Sequence, residues 1–198
     1  MSTVVAVRLG STACIAADSL TTFGEQKQTA RYDRFSDKLQ TVEDGAMAIV
    51  GSAAHSLVLD SVLRERRVRF DLRDRLSIFE SFRRLHSELK DHYFLNPKEE
   101  NGDETDPYES SRIDALIVGP DGIYGVYALR EVYEYARFWA IGSGAEYALG
   151  AMHACYAGAD SAEAVVAAGI AAGAEFDAGS GLPLTRRSFT LRNPMIEE

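Results

Sequence analysis

The chain turns back on itself almost as soon as it starts. Residues 3–9 read TVVAVRL, a run rich in β-branched side chains; Gly10-Ser11 is a turn signal, and residues 12–17, TACIAA, form a second apolar run of strand length. Two such runs around a short turn predict a β-hairpin. Chain termini are usually loose, but here residue 2 lies one step from a strand. Any fold this chain adopts must therefore build a sheet around its first residues and anchor the chain start to it.

The elements that follow limit which sheet that is. Residues 20–37 are polar and turn-rich, with a short strand predicted over 29–35. Strands are predicted at 38–42 and 46–50, around the turn Glu43-Asp44-Gly45. Ser52 is a candidate N-cap, and Leu57, Leu59, Val62 and Leu63 recur at helical spacing, which predicts a helix over 53–68. A longer helix is predicted over 72–94, with Leu76, Phe79, Phe82, Leu85 and Leu89 as its apolar stripe. Residues 95–110 are acidic, carry Pro and Gly, and read as an exposed loop. A second hairpin pairs 113–118 with 123–129 around Gly119-Pro120-Asp121-Gly122, and a short strand follows at 138–141. Gly142-Ser143-Gly144 opens an alanine-rich helix running to about 156, and Ser161 starts another reaching about 175. The last predicted strand covers 188–192. Strands come in hairpins, with two helices after each group. That order predicts an α+β fold, a four-layer αββα sandwich of two antiparallel sheets between helix layers. No repeat or linker interrupts it, so a single domain over residues 1–198 is expected.

Composition removes several function classes. The net charge of −9 argues against a nucleic-acid surface, and the basic run at 64–69 reads as a solvated helix end. No run of about 20 apolar residues is present, so neither a membrane span nor a membrane partner is expected, and a cytoplasmic location is. Cys14 and Cys155 lack metal spacing and read as buried free thiols. His55, His86, His92 and His153 have no triad or metal context and read as structural. No metal and no cofactor is expected.

Several weak local motifs remain, and their order is more specific than any one of them. Ser2-Thr3-Val4-Val5 opens the first strand, Ala16-Ala17-Asp18-Ser19 ends the second, and Asp37-Lys38-Leu39 leads a third. Ile141-Gly142-Ser143-Gly144 opens one helix, and Asp177-Ala178-Gly179-Ser180-Gly181 follows another. Taken singly, each has a bland explanation: an N-cap, a turn former, a solvated lysine. In this order, and over nearly the whole chain, they resemble the proteasome β-subunit superfamily of N-terminal-nucleophile (Ntn) hydrolases. That superfamily includes the bacterial heat-shock peptidase that works with a ring ATPase. The sequence is similar to the small bacterial branch known as β-proteobacterial proteasome homologues.

The resemblance implies roles for particular residues. Ser2 falls at the nucleophile position, exposed by removal of Met1; Asp18 matches the catalytic acid and Lys38 the catalytic lysine. Ser143, Asp177 and Ser180 match the group that supports the terminal amine, and the backbone N–H of Ala48 falls near the oxyanion donor. Thr21, Gln40, Ala46 and Val50 are expected near the substrate pocket. There are departures. Relatives mostly use Thr where this chain has Ser2, and Gly where it has Ala48; a few extra residues separate Asp18 from Lys38. Either substitution points to slow or specialised activity. Thr3 is the competing nucleophile, but it spoils the ungapped spacing to Asp18.

The chemistry is self-consistent. A serine hydroxyl is a weak nucleophile and needs a base. An α-amine, with an ordinary pKa of about 7.7–8.0, titrates close to working pH. A neighbouring ammonium disfavours its protonation and stabilises the alkoxide. The expected function is a self-compartmentalised peptidase acting on peptides or unfolded proteins. The expected assembly is a homo-oligomer of stacked heptameric rings, with an ATPase unfoldase as possible partner. The alternatives are a small-amide hydrolase using the same nucleophile, or a silent ring scaffold if Met1 is retained.

Overall fold

The computed structural model describes residues 2–97 and 107–193. Strands β1 (Thr3–Leu9) and β2 (Thr12–Ala17) form the N-terminal hairpin, in register from Val4↔Ala17 to Leu9↔Thr12. A small hairpin of β3 (Thr21–Phe23) and β4 (Gln26–Gln28) follows, then β5 (Gln40–Val42) and β6 (Gly45–Val50). Helix α1 (Ala53–Arg64) begins at an Ser52 cap whose hydroxyl accepts the Ala54 N–H. Helix α2 (Arg75–Tyr93) begins at Asp74, whose carboxylate accepts the Ser77 N–H. Then come β7 (Asp114–Val118), β8 (Ile123–Val126), β9 (Val132–Tyr135) and β10 (Phe138–Gly142). Helices α3 (Ala145–Tyr156) and α4 (Ala162–Phe176) and strand β11 (Thr185–Thr190) complete the described chain.

Apart from the two-stranded β3-β4 hairpin, the strands make two antiparallel sheets, β10-β1-β2-β11 and β5-β6-β7-β8-β9. Strand β1 has neighbours on both sides and explains the layering residue by residue. Its side chains alternate: Val5 and Val7 pack with Met152, Val165, Val166 and Ile170 of α3 and α4. Val4 and Ala6 point the other way and meet Ala46, Ala48, Leu116 and Val118 of the second sheet. The opposite face of that sheet (Met47, Ile49, Ala115, Ile117) packs with Leu59 and Val62 of α1 and Ile78, Phe82, Leu85 and Leu89 of α2. Helix, sheet, sheet, helix is the four-layer sandwich expected from the order of elements. Among the described residues no helix is long and apolar enough to cross a membrane.

Small residues set the spacing where α4 meets β1. A Cβ added at Gly173 would stand 2.5 Å from Thr3 Oγ1 and 2.8 Å from its Cγ2, closer than any real contact. The helix can lie on the strand there only because position 173 is bare.

Several expectations need correction. No strand covers 29–35; the pairing falls earlier, in β3 and β4, because residues 29–36 are taken up by turns. Helix α1 stops at Arg64 rather than 68, and Val68, Phe70 and Leu72 reach the core from an irregular segment instead. The apolar stripe of α2 is rotated. Ile78, Phe82, Leu85 and Leu89, with Ser81 and His86, face the sheet, whereas Leu76 is 70% exposed and Phe79 36%. The i, i+4, i+7, i+11 set from Ile78 fits a 3.6-residue period at least as well, and Leu76 and Phe79 are apolar residues on the side of α2 turned from the sheet. Strand β8 ends at Val126, not 129, and β9, whose VYEY is rich in strand-forming residues, lies where no strand was expected. Strand β11 covers 185–190 rather than 188–192. The acidic-loop expectation falls largely on 98–106, outside the described residues.

Candidate active site

The sandwich gathers the sequence-predicted residues at the end of the first sheet where β1 begins. Thr3 pairs with Gly142 of β10, Val4 with Ala17 of β2, and Ala17 in turn with Thr185 of β11. Ser2, Asp18 and Ser143 therefore all sit at strand ends along one sheet edge.

Asp18 is fully buried and has its acceptor capacity filled. Oδ1 accepts from Lys38 Nζ at 2.8 Å and from the Thr3 N–H at 3.0 Å. Oδ2 accepts from the Leu20 N–H at 2.9 Å and the Gly181 N–H at 3.0 Å. A buried carboxylate is tolerable only when bonded in this way. It ties together the start of β1, the chain after β2, the loop after α4 and the lysine.

Lys38 lies in no strand or helix. Its ammonium has three hydrogens and three acceptors: Asp18 Oδ1, the Leu20 carbonyl at 2.6 Å and Ser2 Oγ at 3.0 Å. Burial holds its pKa below the ordinary lysine value, with the Asp18 charge pulling the other way.

The nitrogen of Ser2 has its own partners. It donates to Ser143 Oγ at 3.2 Å, and Ser143 Oγ donates to Asp177 Oδ2 at 2.7 Å. A serine hydroxyl has one proton. With that proton on the carboxylate, the Ser143 oxygen offers only lone pairs to Ser2 N. Ser180 repeats the pattern. Its hydroxyl donates to Asp177 Oδ2 at 2.6 Å, so the 2.7 Å contact with Thr3 Oγ1 is one in which Thr3 donates. Burial by itself would raise the Asp177 pKa; the Ser143, Ser180 and Gly179 hydrogen bonds outweigh it and hold the carboxylate below its ordinary range. Thr3 is completely buried against Gly173 and Ser180, so its hydroxyl cannot meet a substrate, whereas Ser2 is partly open.

A half-open cavity of about 830 Å³ adjoins Ser2, lined among others by Val50, Gly51, His55, Gly142 and Ser143. Gly142 has φ +95°, and a Cβ there would fall on the Ser2 carbonyl oxygen, so only glycine lets β10 approach the chain start. Val50 lines this cavity, but Ala46 and Ala48 do not reach it. Both are fully buried mid-strand between the two sheets, with Ala48 opposite Leu116. Gln40 is turned to α1, donating to the Ser56 carbonyl at 3.2 Å and Asp60 Oδ1 at 2.7 Å. Thr21 is half-buried on β3, one residue beyond the carbonyl that holds Lys38. His55, read as structural, lines the cavity; burial and then Arg112 push its pKa down. Sequence reasoning missed Leu20 O and Gly181 N, which hold Lys38 and Asp18 through the backbone, and Gly51, which lines the cavity without a side chain, because no residue type announces a backbone contact. Among the described residues no cluster of His, Cys, Asp or Glu could hold a metal.

No family model and no curated protein matches the chain. Solved structures do. Thiobacillus denitrificans BPH is 41% identical with a TM-score of 0.87, the match covering 96% of this chain and 98% of that one. The same protein in complex with epoxomicin is matched at 40% identity and TM-score 0.88, over 96% and 100% of the two chains. Eukaryotic HslV from Trypanosoma brucei shares the fold, with 18% identity and a TM-score of 0.66 over 95% and 99%.

Proposed function

The chain belongs to the proteasome β-type family of Ntn hydrolases, and from that premise we propose that it is a self-compartmentalised peptidase whose nucleophile is Ser2, freed by removal of Met1. The observation that carries the reading is Lys38 Nζ, 3.0 Å from Ser2 Oγ and 2.8 Å from a buried Asp18, with Ser143 and Asp177 placed at Ser2 N.

The steps balance with groups present in the chain. Once Met1 is gone, Ser2 N is an amine. Ser2 Oγ attacks the scissile carbonyl carbon, and its proton passes to that amine, directly or through a water. Lys38 stabilises the developing alkoxide and keeps the amine unprotonated; Asp18 keeps Lys38 charged and oriented. Ser143, held by Asp177, accepts an amine N–H and aims its lone pair. The tetrahedral oxyanion takes a backbone N–H, a contribution of about 3–4 kcal/mol in well-studied sites. Gly51, which lines the Ser2 cavity, suits that task better than Ala48, which is enclosed between the sheets. The proton then leaves on the departing amine, and an ester links the acyl group to Ser2. Water, deprotonated by the same amine, attacks the ester, and the proton returns to Ser2 Oγ as the acid product departs. Val50 and the neighbourhood of Thr21 border the substrate. The assembly this reading implies is a closed homo-oligomer, a pair of stacked heptameric rings enclosing the sites.

The test combines intact mass with turnover of a fluorogenic peptide. Purified enzyme should lack Met1. Ser2→Ala and Lys38→Ala should each abolish turnover, and epoxomicin should block the wild type. Wild-type-like turnover by Ser2→Ala would refute the role of Ser2.

A further inference from the structure

Lys38 stands farther from a regular element than Ser2, Asp18, Ser143 or Asp177, each of which directly adjoins one. Asp18 closes β2, Ser2 precedes β1, Ser143 follows β10 and Asp177 caps α4. The lysine lies in an irregular stretch ahead of β5. Its Nζ must nonetheless meet three acceptors at 2.6–3.0 Å. The Leu39 side chain anchors one flank in the core. The other flank is Asp37.

Asp37 Oδ1 accepts the Leu39 N–H at 2.9 Å. That bond closes an Asx-turn with Lys38 at its centre. The same carboxylate is gripped from outside. Thr185 Oγ1 donates to Oδ1 at 2.9 Å and Arg187 Nη2 to Oδ2 at 2.9 Å. Burial alone would raise the Asp37 pKa; the Leu39, Arg187 and Thr185 donors more than offset it, so the carboxylate is ionised at working pH. Thr185 is also the residue that pairs with Ala17, one step before Asp18. The contacts close a ring: Asp18 follows Ala17, Ala17 pairs with Thr185, Thr185 holds Asp37, Asp37 wraps the turn around Lys38, and Lys38 returns to Asp18.

We infer that Asp37 is a positioning residue for Lys38, referencing the lysine to the same sheet edge that supplies Asp18, with Thr185 and Arg187 of β11 as its anchors. This rests on the role given to Lys38 above. Without the Asx-turn the backbone of Lys38 is free to swing, and displacement of a catalytic group by about 1 Å can cost on the order of a hundredfold in rate.

The experiment uses the processed, assembled enzyme with a fluorogenic peptide. Asp37→Ala should lower kcat by roughly ten- to a hundredfold with KM changed by no more than about twofold. The acid limb of kcat/KM should move to higher pH, because a displaced ammonium no longer depresses the pKa of the terminal amine. Asp37→Asn keeps an oxygen for Leu39 N–H and Thr185 and should recover much of the rate. Thr185→Val should show a smaller loss, and combined with Asp37→Ala should add little. If the alanine variant fails to assemble, Thr185→Val carries the test through its pH profile, with Asp37→Asn as the rescue control. An unshifted acid limb in the alanine and valine variants that assemble, with or without a lower rate, overturns the inference while Lys38→Ala stays dead. An active Lys38→Ala overturns the role of Lys38 itself.

Discussion

Replacing Asp18 by asparagine changes one atom and tests the whole arrangement. The carboxylate is fully buried and takes two donors on each oxygen: Lys38 Nζ and Thr3 N–H on one, Leu20 N–H and Gly181 N–H on the other. An asparagine has one oxygen and one NH2 group, so either orientation sets an NH2 against two donors. At least two hydrogen bonds are lost, and each stranded buried group costs about 1–3 kcal/mol. The Lys38 charge also loses its counter-ion, and breaking a buried pair costs about 3–5 kcal/mol. These figures overlap, since the Lys38 bond enters both, and together they give a loss of about 3–5 kcal/mol. Against a total stability of about 5–15 kcal/mol, that should be plain in urea unfolding at fixed protein concentration, read as a shift in midpoint at unchanged slope. Turnover should vanish as well. A stability loss below about 1 kcal/mol would refute the reasoning, for it would mean that the four donors find water or other partners once the charge is gone.

Other outcomes follow from particular contacts. Gly142→Ala forces a side chain onto the Ser2 carbonyl at φ +95°, so turnover should fall at least about tenfold while Tm drops by only a few degrees. The rotated stripe of α2 is checked by a pair of variants in thermal unfolding. Ile78→Ala should cost about 2–4 kcal/mol, and Leu76→Ser should stay within about 0.5 kcal/mol. His86 is buried between Ser111 Oγ at 3.0 Å and Glu109 Oε2 at 3.3 Å, with Lys90 and Arg130 also close; burial first, then those cations, outweigh Glu109 and lower its pKa. The native imidazole stays neutral where the unfolded chain, with an ordinary His pKa of about 6.5, takes up a proton. Stability should therefore fall as pH drops below about 6.5, and His86→Gln should flatten that dependence in urea midpoints measured at about pH 7.5 and 5.5.

The architecture was legible because its signals are local. The TVVAVRL and TACIAA runs, the Ser161 cap and the glycine turns set hairpins and helices without help from distant residues. Errors arose where tertiary contact decides. Leu76 and Phe79 are as apolar as Ile78, and only the angle at which α2 meets the second sheet determines which face is buried. Strand β9 pairs with the edge that β8 offers, and the strand-forming Val and Tyr of VYEY suit it to that edge. At the site, side chains with a titratable or hydroxyl group could be picked out by type and order. Ala46 and Ala48 share the face of β6 that Val50 presents but lie deeper along the strand between the sheets, and Gln40 is held by α1; position along the strand and tertiary partners, not residue type, decide what reaches the cavity. Gly51 carries no side chain, and what sets Asp37 apart is its contact with Thr185 and Arg187, about 150 residues away in sequence.

Position 3 and position 173 share one small volume, and neither can change alone. Thr3 must stay small while α4 lies against it, yet must keep a hydroxyl for Ser180. A larger residue at 173 would lift the helix off the strand and carry the adjoining Asp177 and Ser180 with it. A library randomised at both sites should therefore return active pairs whose combined bulk is nearly constant, a serine at 3 wherever an alanine appears at 173. The geometry at the chain start would then be inherited as a pair of sizes, traded across the gap between a strand and a helix.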